Sequence, residues 1–185
     1  MRVIAGSAGG IPLKIPAHDL RPTMDMVRGA VFSALGDIVI GARVLDLFAG
    51  SGGFGIEALS RGAAEAVFVD SHPKAIDAIR FNLAKAKLEG KVVKNDVFRY
   101  LNSCPEEFEL IFADPPYKKL PADRDFMQEL VTNQALHTVA GPEALLVLER
   151  MPAKTDPIYP GWQITRTKRY GGTEVIFCIP EKAVL

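Results

Sequence analysis

Residues 43–62, which read RVLDLFAGSGGFGIEALSRG, decide the fold. The stretch begins with a short apolar strand, passes through a loop containing Gly50-x-Gly52-x-x-Gly55, and ends in a helical segment before Gly62. A tight glycine turn between a strand and a helix lets a ligand approach the backbone at the positive end of the helix. The stretch therefore predicts an α/β fold with a nucleotide-like ligand at this turn. A purely structural turn is the alternative.

Strand and helix patterns continue to alternate from this stretch up to residue 150. Strands are predicted at residues 65–70, 91–96, 109–114 and 143–150, and helices at 73–90, 97–103 and 123–139. Such alternation predicts βαβ units, hence a Rossmann-like, mostly parallel sheet covered on both faces. Two alternating stretches joined at Gly171-Gly172 then predict an antiparallel C-terminal hairpin.

The N-terminal region has a different pattern. Residues 1–22 are rich in glycine and proline with short apolar stretches, which predicts a small hairpin or arm. A helix is predicted to follow over MDMVRGAVFSAL, with Thr23 as its N-cap. We therefore expect an arm over residues 1–22 and one globular domain over residues 23–185.

Composition narrows the class of protein. The chain has 185 residues and no apolar run near the length of a membrane span, and its N-terminus lacks the apolar stretch of a signal peptide. Two cysteines in no metal-like spacing and three scattered histidines predict no metal site and suit a reducing compartment. We expect a soluble, cytoplasmic protein.

Charge is distributed unevenly although the formal net charge is zero. Zero net charge argues against indiscriminate nucleic-acid binding. Residues 1–28 and 150–170 are basic, however, and the segment between them is acidic. This split gives weak support to a polyanionic partner.

Three predicted strands end in, or close to, an aspartate: Asp46, Asp70 and Asp96. Ligands of open α/β sheets bind at the carboxyl ends of the strands, where Asp70 would accept bonds from ribose hydroxyls and Asp96 from an adenine amine. A carboxylate just before the loop would disfavour the pyrophosphate of NAD, whereas a cofactor with an amino acid part and a sulfonium would favour it. The pattern predicts S-adenosylmethionine. The candidate contacts are Asp46, Phe48, Ala49, Gly50, Ser51, Gly52, Asp70, Ser71, Asp96, Val97 and Asp114.

The fourth strand ends in Asp114-Pro115-Pro116-Tyr117, which we call the DPPY motif. An exocyclic amine attacks a methyl group poorly because its lone pair is delocalised into the ring. A carboxylate and a fixed carbonyl that both accept from the NH₂ group would free the lone pair and stabilise the growing positive charge. The prolines fix the direction of the Pro115 carbonyl, and Tyr117 offers a face on which a base can stack. All four residues are candidate catalytic residues for amine methylation.

These motifs resemble those of one family, the RsmD-type 16S ribosomal RNA guanine-N2 methyltransferases. The resemblance rests on the DPPY motif, the glycine loop, Arg21-Pro22-Thr23 before it, and the late KRYGGT, over nearly the whole chain. It implies a seven-stranded class I methyltransferase fold with an N-terminal hairpin extension. It also implies that the substrate is a guanine of small-subunit RNA in an assembled or assembling particle.

Basic residues near the motifs are candidates for RNA contact through phosphates, which would set register without reading sequence. They are Arg2, Lys14, Arg21, Arg28, Lys118 and Arg169. Arg21 and Arg28 have a second possible role as braces of the cofactor site or of the DPPY motif. The alternatives for the whole chain are a DNA or RNA adenine-N6 or cytosine-N4 methyltransferase, a dinucleotide-dependent oxidoreductase, and a non-catalytic RNA-binding assembly factor.

Overall fold

The computed structural model describes residues 1–16, 24–118, 120, 122–152 and 158–181. The strands are β1 Arg43–Leu47, β2 Glu65–Asp70, β3 Lys91–Lys94, β4 Phe108–Ala113, β5 Ala140–Arg150, β6 Trp162–Tyr170 and β7 Thr173–Pro180. The helices are α1 Met24–Leu35, α2 Gly53–Ser60, α3 Pro73–Ala86, α4 Val97–Ser103, α5 Phe126–Val131 and α6 Gln134–Val139. A short 3₁₀ helix follows α1 at Gly36–Val39.

The seven strands form one sheet in the order β3-β2-β1-β4-β5-β7-β6. Strands β1 to β5 are parallel, and β7 is antiparallel to both of its neighbours. This is the Rossmann-like methyltransferase arrangement predicted from the sequence, including the closing antiparallel hairpin. Because β6 is antiparallel to β7, it runs in the same direction as β1, β4 and β5, and its end Tyr170 lies at their carboxyl edge.

Alternate residues of the central strands enter two separate apolar cores, as the two-residue period of a strand requires. In β4, Phe112 packs in the core formed with α1, α2 and α3, and Ile111 packs in the core formed with α4, α5 and α6. Strand β6 is different, since seven of its nine residues are exposed. None of the described helices combines the length and the apolar character that a membrane crossing demands.

Two predicted helices end differently in the structure. Helix α3 stops at Ala86 instead of continuing to Gly90, because Lys87 takes a left-handed conformation and the N–H of Leu88 donates to the carbonyl of Leu83. The segment predicted as one helix over 123–139 forms two, since Asn133 leaves the helix and caps α6 through its side chain.

The arm pairs with itself and then with the helices. The N–H of Val3 donates to Ile11, and the N–H of Leu13 donates to Met1, in an antiparallel hairpin. The carboxylate of Glu57 in α2 accepts from the backbone N–H groups of Ile4 and Ala5. The proposed N-cap Thr23, Arg21 and the boundary between arm and domain lie outside the described residues.

Candidate active site

The glycine loop joins β1 to α2 at the carboxyl edge of the sheet. Its backbone turns through left-handed conformations at Phe48, Gly50 and Gly52, with φ of 55°, 56° and 77°. Gly55 has a steric reason of its own, because a Cβ at this position would lie 2.7 Å from Cζ of the buried Phe68 in β2. The loop therefore needs glycine both for its turn and for the close approach of α2 to the sheet.

Asp46 lies within β1 and is almost completely buried. Its Oδ2 accepts a hydrogen bond of 2.9 Å from the N–H of Gly55, which holds the first turn of α2 against the strand. Burial raises the pKa of this carboxyl to about 8; the hydrogen bond from Gly55 opposes the rise, and the charge of Asp70 adds to it. A cationic group placed beside Asp46 would favour its ionised form.

Asp70 and Asp96 hold the neighbouring turns. The Asp70 carboxylate accepts from the N–H of Gly50 at 2.9 Å and from the N–H of His72 at 2.8 Å. Asp96 is the N-cap of α4, and its Oδ1 accepts from the N–H groups of Phe98 and Arg99. Both aspartates thus lie at the carboxyl edge, as expected. Contacts of their oxygens with ribose and adenine stay a prediction, as do contacts of Ser71 and Val97.

A narrow cavity of about 30 Å³ opens between the glycine loop and the end of β4. Three acidic side chains contribute to its wall: Asp46 in β1, Asp114 directly after β4, and Glu149 in β5. The full lining is Arg28, Asp46, Phe48, Ala49, Gly50, Ser51, Gly53, Phe54, Asp114 and Glu149. The structure therefore brings together five of the predicted cofactor-loop residues with Asp114 of the DPPY motif.

Arg28 corrects one expectation. This side chain is only 2% exposed, so it is not available to RNA phosphates at the surface. Its guanidinium lies 3.0 Å from Asp25 and 3.6 Å from the buried Glu57, and it donates to the backbone oxygen of Arg2. It lies in the wall of the narrow cavity, which is the position that a brace of the cofactor site requires.

A wider cavity of about 440 Å³ lies on the other side of the DPPY motif. It is lined by Pro115, Pro116, Tyr117, Lys118, Asp125, Met127, Gln128, Arg150, Met151 and Pro152. Asp114 faces the narrow cavity, while the rest of the motif lines the wide one. The motif therefore separates a narrow space beside the glycine loop from a space large enough for a nucleobase.

The sequence analysis missed the two charged residues that end β5. The Tyr117 hydroxyl lies 3.4 Å from Oε1 of Glu149. The buried Arg150 donates to Glu174 on β7 at 2.7 Å and to the Tyr159 hydroxyl at 3.3 Å. The signal was present, since a Glu-Arg pair follows the apolar run 144–148 at the edge where ligands bind.

The other candidates for RNA contact are spread over the surface. Arg2, Lys14, Lys118 and Arg169 are exposed, and Lys14 lies over the ring of Phe81 at 5.4 Å. Lys118 borders the wide cavity, whereas Arg2 and Lys14 belong to the arm. Among the residues that the structure describes, no group of histidine, cysteine or acidic side chains could hold a metal ion.

Comparisons with known proteins identify relatives over nearly the whole chain. The family described as Conserved hypothetical protein 95 matches residues 1–179. Ribosomal RNA small subunit methyltransferase D of Escherichia coli K12 is 32% identical over 174 residues, covering 92% of this chain and 85% of its own. YlbH of Bacillus subtilis is 46% identical over 125 residues, 64% of this chain and 68% of its own.

Solved structures also include proteins that are similar to this chain over most of its length. The Escherichia coli protein yhhF has a TM-score of 0.87 and 31% identity, with 98% of each chain covered. The Thermus thermophilus 16S rRNA N2 G1207 methyltransferase RsmC, in complex with AdoMet and guanosine, has a TM-score of 0.70 over 89% of this chain and 44% of its own. At 23% identity the second likeness shows the fold alone. With the family match and the Escherichia coli relative, the chain belongs to the family of the ribosomal RNA small subunit methyltransferases D.

Proposed function

We propose that this protein transfers a methyl group from S-adenosylmethionine to the exocyclic N2 amine of a guanine in small-subunit ribosomal RNA. Family membership supports S-adenosylmethionine-dependent methylation of ribosomal RNA. One observation carries the proposal: the DPPY motif separates a narrow cavity at the glycine loop from a base-sized cavity. Donor and acceptor would then meet at Asp114.

The residues around the narrow cavity fit this cofactor. The glycine loop lines the narrow cavity through Phe48, Ala49, Gly50 and Ser51, and a cation beside the buried Asp46 would favour its ionised form. Asp46 and the loop would hold the amino acid part, and Asp70 and Asp96 the nucleoside part. When bound, S-adenosylmethionine supplies a methyl group on a sulfonium centre.

The DPPY motif would prepare the acceptor. The Asp114 carboxylate and the Pro115 carbonyl would accept the two N–H bonds of the guanine amine and turn its lone pair toward the narrow cavity. Tyr117 would stack on the base. As the new N–C bond forms, the bond between the methyl group and the sulfonium sulfur would break and leave a neutral thioether, while Asp114 would stabilise the positive charge that grows on nitrogen. The methylated amine then loses one proton to solvent, so catalysis is mainly positioning.

We extend the proposal to the setting of the reaction. The arm carries exposed cations at Arg2 and Lys14, which would contact RNA outside the methylated nucleotide. Such distributed contacts suit a folded RNA in an assembled or assembling small subunit. That substrate places the enzyme in the cytoplasm.

The test is transfer of labelled methyl from S-adenosylmethionine to small subunits from cells that lack this gene, beside naked ribosomal RNA and DNA. Digestion to nucleosides identifies the modified base. The Asp114→Ala variant should lose transfer, whereas Asp77→Ala, which removes an exposed carboxylate from α3, should keep it. Label in N2-methylguanosine supports the proposal. Label in methyladenine or methylcytosine, or cofactor binding without transfer to any substrate, contradicts it.

A further inference from the structure

Strand β6 is the most solvent-exposed strand of the sheet. Only its ends, Trp162 and Tyr170, are buried or half-buried, and the seven residues between them are exposed. The opposite edge strand β3 has two of its four residues exposed. In the middle of β6 three basic residues occur without an acidic one: Arg166, Lys168 and Arg169. The fold therefore leaves a basic edge uncovered.

The register of the sheet aligns this edge with the DPPY motif. Ala113 pairs with Leu148, Leu148 with Ile176, and Ile176 with Thr167, in one row across β4, β5, β7 and β6. One residue further toward the carboxyl edge, Lys168 is therefore level with Asp114. Three strand spacings separate them, or about 14 Å. This distance spans a few nucleotides of a strand whose target base lies at Asp114.

The three cations project on both faces of β6. Arg166 and Lys168 lie opposite Phe177 and Val175, which belong to the core with α1, whereas Arg169 lies opposite Glu174 on the other face. Arg166 lies over the ring of Phe177 at 5.9 Å, and Arg169 donates to its neighbour Gly171. No ion pair joins any of the three to a carboxylate within the described part of the chain. Their charge is available to a partner.

We propose that the exposed edge of β6 binds the backbone of the ribosomal RNA strand that flanks the methylated nucleotide, through Arg166, Lys168 and Arg169. This inference rests on the proposed function and adds a phosphate-binding surface to it. The contacts would set the position of the strand and would read no sequence, since phosphates carry none.

The positive charge of β6 favours RNA over a second copy of the chain as the partner of this edge. Edge strands can pair with other strands through their free backbone groups, and basic side chains on an edge oppose such pairing. If β6 paired with β6 of another copy, the basic segments would lie beside one another and repel. A polyanion meets the same side chains with attraction and releases counterions on binding. The observations therefore favour RNA.

The experiment replaces all three cations together, in the variant Arg166→Gln/Lys168→Gln/Arg169→Gln. A matched control, Lys74→Gln/Lys87→Gln/Arg99→Gln, removes the same charge from exposed positions on α3, just after α3, and on α4. A second variant, Arg166→Lys/Arg169→Lys, keeps the charge.

Filter binding to small subunits from cells lacking the gene gives the Kd of each variant at salt concentrations between about 50 and 200 mM. Calorimetry gives Kd for S-adenosylmethionine.

We expect the triple Gln variant to bind subunits about tenfold more weakly, with a salt slope smaller by about 2 if three contacts to single-stranded RNA are lost. The control and the charge-retaining variant should stay within about twofold of the unmodified protein, because phosphate binding depends on charge at that place. Affinity for S-adenosylmethionine should not change, since β6 is four strands from β1.

Unchanged subunit binding by the triple variant would overturn the inference, and so would an equal loss in the control. Absence of binding by the unmodified protein would overturn it as well. The binding assay does not depend on methyl transfer. If another base were methylated, the proposed function would be wrong. The binding assay would still test the role of β6.

Discussion

The two halves of the carboxyl edge are built differently. On the cofactor side, buried or half-buried side chains are bonded into the fold: Asp46 to Gly55, and Asp70 to Gly50. On the acceptor side the wide cavity opens beside the exposed Lys118, and β6 carries cations without carboxylate partners among the described residues. Under the proposed function, the cofactor loop would therefore be formed before a ligand binds, and the acceptor side would be completed by its substrate.

The largest effect is expected where the two halves meet. Asp114→Ala should lower the rate of methyl transfer by about 10²–10³-fold, because it removes an acceptor aimed at the charge that develops on nitrogen. Affinity for S-adenosylmethionine should fall much less than the rate, since Asp114 is one of several candidate cofactor contacts and the glycine loop holds its shape through Asp46 and Asp70. Single-turnover kinetics and calorimetry measure the two quantities. A loss of cofactor affinity as large as the loss of rate would remove the distinction between the halves.

Crowding the cofactor side should reduce stability. Gly55→Ala places a Cβ against the buried ring of Phe68 and should lower the free energy of unfolding by about 3 kcal/mol. Gly29→Ala in α1 is the matched control, since its Cβ would meet Ile4 at 3.4 Å, an ordinary contact, and alanine favours the helix. Urea denaturation measures both. Equal stabilities for the two variants would show that α2 has room to move.

Detaching the arm tests how the cofactor loop is held. Asn82 is fully buried; its amide donates to the carbonyls of Lys14 and Ser51 and accepts from the N–H of Lys14. Asn82→Ala leaves these groups unpaired and should lower the free energy of unfolding by about 2 kcal/mol, with weaker cofactor binding. The exposed Asn102→Ala should change neither quantity. Unchanged cofactor affinity in Asn82→Ala would mean that the loop keeps its shape without the arm.

Expressed per pH unit, the effect of pH on stability is the smallest of these. The folded-state pKa of Asp46, about 8, is above its usual value of 3.8, so the folded protein holds a proton that the unfolded chain has released between these pH values. Stability should therefore fall as pH rises from about 4 to about 8, by at most about 1.4 kcal/mol per pH unit from this group. Asp46→Asn should remove that fall. Urea denaturation of both proteins without cofactor, across this pH range, measures how stability depends on pH. Identical slopes of stability against pH for the two proteins would mean that Asp46 is already ionised.

Local sequence signals predicted most of the fold. Helix α4 and strand β2 have the predicted bounds, because an aspartate cap and a turn delimit them clearly. The early end of α3 was not predictable, since a lysine rarely takes the left-handed conformation that Lys87 adopts. The division of the predicted helix at Asn133 was missed because apolar residues recur at helical spacing through both α5 and α6.

The site was predictable where its residues are contiguous in sequence and less so where they are not. The glycine loop and the DPPY motif each lie in one short segment with its own chemistry. Glu149 and Arg150 join the site only through the pairing of β5 with β4 and β7, which depends on strand order. Burial of Arg28 depends on the arm and α2 folding over it, and no local pattern encodes this.

The arm also has a consequence for synthesis of the chain. Its residues leave the ribosome before their partners Glu57, Ser60 and Asn82, which follow as many as 68 residues later. At ordinary rates of translation this interval lasts roughly 3 to 14 s. During that time the hairpin can contact α1 but lacks its full set of contacts with α2 and α3. The arm is therefore among the segments that wait longest for their native contacts, and the glycine loop gains its bond from Asn82 to Ser51 only after residue 82 has emerged.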